Sequence, residues 1–293
     1  MASRQRVEAT PWAALASVGV AILVVVAFML TAGFDVSSAA AAAFRGAFGS
    51  PFAVISATLK RAVPLMTVGL AVAVAFRGGV LNIGGEGQFL MGAVAAAAVG
   101  QAFPALPAPL AILVPIGAGV VTGGVWAGVA AVLKRYGGAT EVVTTLLLNL
   151  IAVQVVGYLV RGPLQEPTGA YPQSAELPGA MHLPLLIDGQ RLHAGFVGAI
   201  AMIAFAWWSF RYSAAGFRSL VTGMNPNAAA VSGRIDVTAL QARALILSGM
   251  IAGLAGAVEV AGVTYSVYDG IASGVGRSEE HTSELQSRVD ISY

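Results

Sequence analysis

The chain contains no cysteine. This absence excludes disulfide bonds, iron–sulfur clusters and thiolate-bound zinc. Charged residues are scarce as well, because Asp, Glu, Lys and Arg make up 10% of the 293 positions while hydrophobic residues make up 57%. With a mean hydropathy of +0.79, the chain has more apolar side chain than a soluble globular protein can bury. The composition therefore predicts an integral membrane protein.

Catalytic and nucleotide-binding motifs are also missing from the sequence. It has neither a His-Glu-x-x-His zinc motif nor a Gly-x-Ser-x-Gly elbow, and neither of its lysines, Lys60 or Lys134, follows a glycine as a phosphate-binding loop requires. We therefore predict no catalytic residue, metal site or cofactor, and no ATP hydrolysis by this chain alone. The net charge of +2 reflects the basic loops usual in membrane proteins and does not indicate nucleic acid binding.

What the sequence does contain is a series of apolar runs. A membrane-spanning helix needs about 20 apolar residues, and five runs are near or above that length: residues 12–30, 110–133, 142–160, 194–210 and 244–263. The predicted fold is therefore all-α, a polytopic bundle of membrane helices. More Lys and Arg fall in the loops on the side of the N-terminus than on the opposite side, which predicts a cytoplasmic N-terminus.

A polar, glycine-rich segment, residues 77–88 (RGGVLNIGGEGQ), lies between two shorter apolar runs, residues 62–76 and 89–103. Fifteen residues of helix rise only about 22 Å, less than the roughly 30 Å of a hydrocarbon core. We therefore expect short, interrupted helices that meet at this polar segment. Such an arrangement exposes helix ends and unwound backbone to a bound solute in many transporters.

Polar side chains within or beside the apolar runs are candidates for a translocation pathway, because such groups usually face a cavity or a partner. For Glu86 the functional interpretation is favoured, since it lies where the two short runs converge. Glu259 is equally compatible with a structural role, and Asn149 is better explained by a bond to a neighbouring helix. The candidate pathway residues are Asn82, Glu86, Gln88, Glu141, Thr144, Thr145, Asn149 and Glu259.

Two connections between the apolar runs differ in character. Residues 161–193 contain five prolines, which predicts an irregular extracytoplasmic loop. Met181, His182 and His193 of this loop lack the spacing of metal ligands, so we interpret them as surface residues. In residues 211–243 on the inner side, Asn225 before Pro226 predicts the N-cap and first residue of a short helix that Gly233 would end. By itself this helix is as compatible with a connector as with a docking element.

Glycines recur at four-residue spacing inside the apolar runs. Small residues at this spacing allow helix backbones to approach closely within lipid. The pairs are Gly119 with Gly123, Gly124 with Gly128, and Gly249 with Gly253.

Residues 75–93 (AFRGGVLNIGGEGQFLMGA) resemble the signature of permease subunits of bacterial ABC importers for nucleosides and simple sugars. This class belongs to the larger group that includes the ribose and branched-chain amino acid permeases. Residues 140–152 (TEVVTTLLLNLIA) and 223–233 (GMNPNAAAVSG), followed by 248–260 (SGMIAGLAGAVEV), match in the same order. The resemblance extends over about residues 1–276, with departures at Gly85 and Leu150 that leave the solute open.

The resemblance implies a multi-pass protein of the bacterial cytoplasmic membrane that works with several partners. Such permeases pair with a second, identical or different permease subunit. They receive solute from an extracytoplasmic binding protein, and they bind two cytoplasmic ATP-binding cassette subunits. Asn82, Glu86 and Gln88 would then line or support the route. The helix that docks on an ATPase subunit would contain Gly223, Asn225, Pro226, Asn227, Ala229 and Gly233.

Two other functional classes remain as alternatives. An ion-coupled secondary transporter of a small polar solute would also use interrupted helices and an intramembrane glutamate, but it would not need a docking helix at residues 225–233. A membrane-embedded enzyme is disfavoured, because no pair of catalytic groups shares a helix face at a useful spacing.

The end of the chain changes composition abruptly. Residues 277–293 (RSEEHTSELQSRVDISY) are polar and resemble the translation of a sequencing-library adapter. We therefore expect residues 1–276 to be an incomplete transmembrane permease domain and residues 277–293 to be a non-native tail. A short soluble C-terminal tail is the alternative.

Overall fold

The computed structural model of the protein describes residues 11–231 and 235–272. Within them the chain divides between Thr58 and Leu59 into two compact units. The predicted non-native tail, residues 277–293, and the glycine expected to end the short inner helix, Gly233, lie outside the described residues.

In the described part of the first unit, the α-helices are α1 (Pro11–Thr31) and α2 (Val36–Phe48). Helix α1 corresponds to the predicted run 12–30, whereas α2 was not predicted. Asp35 caps α2 by accepting a hydrogen bond from the Ser37 backbone N–H at 2.9 Å. Hydrogen bonds from the hydroxyls of Ser38 and Ser37 lower the pKa of Asp35 to about 2. This cap fixes the start of α2 immediately after α1.

The second unit contains the other helices, which confirm the predicted all-α fold. Within the described ranges the backbone forms only isolated β-bridges and no strands. The helices are α3 (Lys60–Arg77), α4 (Gly85–Ala102), α5 (Leu110–Gly137), α6 (Glu141–Val160), α7 (Gly195–Tyr212), α8 (Ala214–Met224), α9 (Pro226–Val231) and α10 (Val237–Glu259).

The predicted membrane character is visible in helix length and composition. Four helical stretches in the described part of the chain are long and apolar enough to cross a membrane: Ala53–Arg77, Leu110–Gly137, Glu141–Val160 and Val237–Thr264. The last of these includes a π-helical turn, Val260–Thr264, that continues α10. The apolar runs predicted at residues 110–133, 142–160, 194–210 and 244–263 correspond to α5, α6, α7 and α10.

The prediction of a short helix at residues 62–76 was wrong. A π-helical segment, Ala53–Leu59, leads directly into α3, and together they form a helical stretch of 25 residues. The apolar count stopped at Lys60 and Arg61 because they are charged, but helical hydrogen bonds are made by the backbone and continue through them. Helix α4 has 18 residues, so it is shorter than the 25-residue stretch on the other side of the polar segment.

Helix α10 lies at the centre of the second unit and packs against α5, α4 and α3. Its contact with α5 is made by glycines: a Cβ atom on Gly123 would lie 2.6 Å from the Gly253 Cα, and one on Gly253 would lie 2.8 Å from the Gly123 Cα. The close approach predicted for Gly119 with Gly123 and for Gly249 with Gly253 is therefore confirmed. Gly124 faces the Met250 side chain, and Gly128 has only the Ile246 side chain at 4.0 Å, so the third predicted pair makes no backbone contact.

The outer connection is irregular, as predicted, but it is firmly attached. It contains one short 3-10 turn, Gly179–Met181. Backbone hydrogen bonds hold it to the segment after α10. Leu177 N donates to Tyr265 O at 2.7 Å, and Leu183 N donates to Ala261 O at 2.8 Å. The loop is thereby fastened to the outer end of the bundle.

The interpretation of the loop residues as surface residues was wrong for Met181 and His193. Their exposed fractions are 1% and 0%, because the loop folds back and buries them. His182 is only partly buried, and its ring stacks on Tyr265 with the ring centroids 3.9 Å apart. Burial of the His193 imidazole, helped by the nearby charge of Lys60, lowers its pKa from 6.5 to about 4.

Candidate functional site

The polar segment between α3 and α4 is organised around Asn82, which is 3% exposed. Its Nδ2 donates to Gln88 Oε1 at 2.8 Å and to Ser248 Oγ at 2.7 Å, while its Oδ1 accepts from Gly84 N at 2.9 Å and from Gln88 Nε2 at 3.0 Å. Ser248 Oγ in turn donates to the Ala71 carbonyl oxygen at 2.6 Å. One amide side chain therefore ties the non-helical segment to α3, α4 and α10.

Asn149 holds the same segment from α6. Its Oδ1 accepts from the Gly87 N–H at 2.7 Å, and its Nδ2 donates to the Ile83 carbonyl at 2.9 Å. The N–H groups of a first helical turn have no partner within their own helix, so Asn149 satisfies one of them at the start of α4. This bond to a neighbouring element is the role that the sequence favoured for Asn149.

Glu86 differs from the two amide side chains of the polar segment, Asn82 and Gln88, because it is exposed and they are buried. It lies in the first turn of α4, where a negative charge is favoured by the helix dipole, and it is exposed while Gly85, Gly87 and Gln88 around it are buried. Its side chain lines two neighbouring depressions. One holds about 70 Å³ and reaches α6 and residues 269–272; the other holds about 270 Å³ and lies along α3.

The other predicted pathway residues on α6 are engaged locally. The Lys134 Nζ lies 3.0 Å from Glu141 Oε1, which pairs the end of α5 with the start of α6. The Thr144 hydroxyl donates to the Thr140 carbonyl at 3.1 Å, and the Thr145 hydroxyl donates to the Glu141 carbonyl at 2.7 Å. Both threonine hydroxyls are thus bonded within their own helix.

Glu259 is placed away from the polar segment, at the outer end of α10. It is half-buried and interacts electrostatically with Lys60 at the start of α3. Lys60 also lines a separate depression of about 310 Å³ beside Arg191 and Tyr265. The structure therefore brings Asn82, Gln88 and Asn149 together next to Glu86, but not Glu259.

The short inner helix begins as predicted. Asn225 Oδ1 accepts from Ala228 N at 3.0 Å, so Asn225 is the N-cap and Pro226 the first residue of α9. Ala229 is 1% exposed and faces inward, whereas Met224 and Val231 are 78% and 88% exposed. Gly223, Asn225, Pro226 and Asn227 are also exposed.

Sequence reasoning missed the contact between the polar segment and this inner region. Arg77, the last residue of α3, donates to the Phe210 carbonyl at 3.2 Å, and its guanidinium lies 4.6 Å from the centre of the Phe210 ring. Two residues later, the Gly79 carbonyl accepts from Gln241 Nε2 at 3.3 Å. The paired glycines at 78 and 79 were a signal of close backbone approach, but nothing in the sequence indicated the partner.

A second group that the sequence did not single out lies at the opposite end of α6. Arg161 forms an ion pair with Asp269, in the segment after α10. Their separation along the chain, 108 positions, hides this pair from any local pattern.

Helices of membrane-spanning length that surround a buried, non-helical polar segment are found in many transport proteins. Comparison with known proteins specifies the class. Residues 54–276 match the family described as branched-chain amino acid transport system / permease component, and the chain belongs to this family. It is therefore a multi-pass permease subunit of the cytoplasmic membrane.

Three relatives illustrate the range of the family. The chain is 35% identical over 255 residues to the guanosine ABC transporter permease protein NupP of Bacillus subtilis, an alignment of 85% of this chain and 71% of the relative. It is 36% identical over 224 residues to the glucose ABC transporter permease protein TsgB13 of Haloferax volcanii, an alignment that covers 71% of this chain and 57% of the relative. It is 27% identical over 213 residues to the nucleoside ABC transporter permease protein NupB of Lactococcus lactis, an alignment that covers 70% of this chain and 58% of the relative. No solved structure matches the chain significantly.

Proposed function

We propose that this chain forms the transmembrane part of an ATP-driven importer for nucleosides or simple sugars. The observation that carries the proposal is the 35% identity to a guanosine permease over 85% of the chain. The 36% identity to a glucose permease is consistent with it, because nucleosides and sugars share a hydroxylated ring. The partners are two cytoplasmic ATP-binding cassette subunits, an identical or different second permease subunit, and an extracytoplasmic solute-binding protein.

The ATPase subunit is proposed to dock on α9 and the residues before it. The exposed Met224 and Val231 present apolar surface there, while the buried Ala229 anchors the helix to the bundle. Exposed apolar side chains on a loop of a membrane protein are a common mark of a protein interface. The docking element is formed by Gly223, Asn225, Pro226, Asn227, Ala229 and Gly233.

Within the pathway, Glu86 is proposed to contact the solute. Its carboxylate is exposed beside two depressions, and it makes the first turn of α4 polar where the surrounding surface is apolar. Asn82, Gln88 and Asn149 hold the backbone that carries it. Glu141, Thr144 and Thr145 fix the start of α6, and Glu259 lies at the outer end of the route.

Uptake into proteoliposomes tests the function. The vesicles would hold the permease with its ATPase subunits, together with the solute-binding protein and radiolabelled guanosine or glucose. Uptake is expected to require ATP and to continue when ionophores collapse the proton and sodium gradients. Uptake that instead follows an ion gradient and ignores ATP would identify a secondary transporter, and chemical conversion of the solute during passage would identify an enzyme.

The variant Glu86→Gln tests the pathway. It removes the charge and keeps the shape, so uptake should fall while co-purification with the ATPase subunits is retained. Glu176→Gln is the matched control, because Glu176 is an exposed carboxylate of the outer loop. Unchanged uptake by Glu86→Gln would remove Glu86 from the pathway.

Residues 277–293 are proposed to be non-native. The support is their polar composition and their resemblance to an adapter translation. A longer DNA read through codon 277 tests this: an uninterrupted hydrophobic continuation is expected, and recovery of the same polar tail would contradict the proposal.

A further inference from the structure

The pairing of Arg161 with Asp269 is held in place by the shape of α6. Arg161 caps the end of α6, and its Nη1 donates back to the Gly157 carbonyl at 3.2 Å. A Cβ atom on residue 157 would lie 2.8 Å from this Nη1, so glycine leaves the space that the guanidinium occupies. The guanidinium thus lies along the helix and reaches the Asp269 carboxylate with a second nitrogen.

The turn that carries Asp269 is also fixed. Val267 and Ile271 on either side of it are 0% and 2% exposed, and the Val267 N–H donates to Ser174 Oγ at 2.9 Å. Gly270 has φ +90°, a conformation that favours glycine. Two buried anchors therefore hold Asp269 and Gly270 at the tip of an ordered turn.

This turn closes one side of the smaller depression beside Glu86. The depression holds about 70 Å³ and is walled by α4, α6 and the turn. Its charged groups are Glu86, from the first turn of α4, and Asp269, from the segment after α10, while its other walls are mostly apolar. The lining residues are Glu86, Leu90, Val153, Val156, Asp269, Gly270 and Ala272.

The chemistry of this lining suits a neutral solute with neighbouring hydroxyl groups. An ionised carboxylate only accepts hydrogen bonds, through two oxygens, so each one matches a pair of hydroxyl donors. The apolar walls can pack on the flat or carbon-bearing face of a ring. Because Arg161 balances only one of the two carboxylates, Glu86, Asp269 and Arg161 together carry a net negative charge. This charge disfavours solutes that carry a phosphate.

We infer that Asp269, together with Glu86, selects solutes by binding neighbouring hydroxyls, and that Arg161 is the positioning residue that orients the Asp269 carboxylate. This rests on the proposed import of nucleosides or sugars and specifies the part of the solute that is recognised. To Glu86, which the polar segment predicted, it adds Arg161 at the end of α6 and Asp269 in the segment after α10.

The test measures uptake by the complete importer in proteoliposomes. Guanosine is compared with 2′-deoxyguanosine, which lacks one of the two neighbouring hydroxyls, and with guanosine 5′-monophosphate as a competitor. Asp269→Asn should raise the half-saturating guanosine concentration roughly tenfold, because a hydrogen bond to a charged group is lost. It should also reduce the preference for guanosine over the deoxy analogue and relieve the exclusion of the monophosphate.

Asp188→Asn is the matched control, because Asp188 is an exposed carboxylate of the outer loop outside this lining. Arg161→Met should raise the half-saturating concentration by a smaller factor, and the double variant should be no worse than Asp269→Asn alone. Uptake is normalised to the permease that co-purifies with the ATPase subunits, so a folding defect is not read as a change in recognition.

Two results for Asp269→Asn would overturn this inference and leave the proposed function intact. One is uptake at the wild-type level, with an unchanged half-saturating concentration and an unchanged preference for guanosine over 2′-deoxyguanosine. The other is an equal loss of uptake for all solutes, with no shift in the half-saturating concentration. If the wild-type importer takes up no nucleoside or sugar at all, the proposed function fails and the inference fails with it. The two failures are therefore distinguishable.

Discussion

Gly79 and Gly223 touch through their backbones, with no side chain between them. A Cβ atom on Gly79 would lie 3.1 Å from the Gly223 Cα, and one on Gly223 would lie 2.6 Å from the Arg77 carbonyl oxygen. Gly79 also has φ +75°, where other residues are strained. The contact joins the polar segment to the end of α8, directly before α9. A displacement of α9 would therefore reach the polar segment without a flexible side chain to absorb it.

The first prediction follows from this contact. In Gly223→Ala the new methyl group meets the Arg77 carbonyl oxygen, so the backbones must separate at a cost of about 1–3 kcal/mol. Solute uptake per assembled importer should fall while ATP hydrolysis continues, because the link between α9 and the polar segment is loosened. Gly198→Ala is the control, since a Cβ atom there meets nothing within 4 Å. Normal coupling in Gly223→Ala would show that the contact transmits nothing.

The second prediction concerns Asn149. Asn149→Leu leaves the buried Gly87 N–H and the partly buried Ile83 carbonyl without their partner, and a buried unpaired group costs about 1–3 kcal/mol. The thermal unfolding midpoint of the purified permease should drop by several degrees. The control is Gln154→Leu, because Gln154 is an exposed amide of the same helix. Equal midpoints for the two variants would contradict a supporting role for Asn149.

The third prediction concerns the glycine contact between α5 and α10. In Gly253→Ala the added methyl group would lie 2.8 Å from the Gly123 Cα and 3.1 Å from the Gly123 nitrogen. Backbone cannot give way as a side chain can, so we expect destabilisation of about 1–3 kcal/mol. Gly117→Ala on α5 should be neutral or slightly stabilising, because nothing lies within 4 Å of that position. Thermal unfolding of both variants checks the difference, and a stable Gly253→Ala would place the helices further apart than described.

The fourth prediction is a pH dependence from His193. Its pKa is about 4 in the folded protein and 6.5 ordinarily, so the unfolded chain takes up the proton first as the pH falls. The neutral His193 imidazole contributes fully to the free energy of unfolding above pH 6.5. This contribution, up to about 3 kcal/mol, is lost between about pH 6.5 and 4. Lys60 is the charge that adds to this effect of burial. His193→Leu removes the titrating group, so its unfolding midpoint should change less with pH over this window; an identical slope in both proteins would contradict the assignment.

The features that the sequence predicted well depend on residues close together in the chain. The cap of α9 needs only Asn225 and the N–H three residues later, and the long apolar runs mark α5, α6, α7 and α10 by composition alone. The start of the helical stretch Ala53–Arg77 was misjudged because the charge at Lys60 interrupts an apolar count but not a backbone hydrogen-bond pattern. Burial of Met181 and His193 was missed because a loop's own composition does not show where it folds back.

The sequence by itself determined that the protein is a helical membrane protein, where most of its long apolar helices lie and which segment is polar, because hydrophobicity and capping act over one or a few helical turns. Only the tertiary structure decided which polar groups meet. Asn82 and Ser248 are 166 positions apart and Arg161 and Asp269 are 108 apart, so no local pattern specifies these pairs. They form because the packing of α10 against α3, α4 and α5 brings residues distant in the chain side by side. The buried Asn82 amide must then find its partner on whichever element lies beside it.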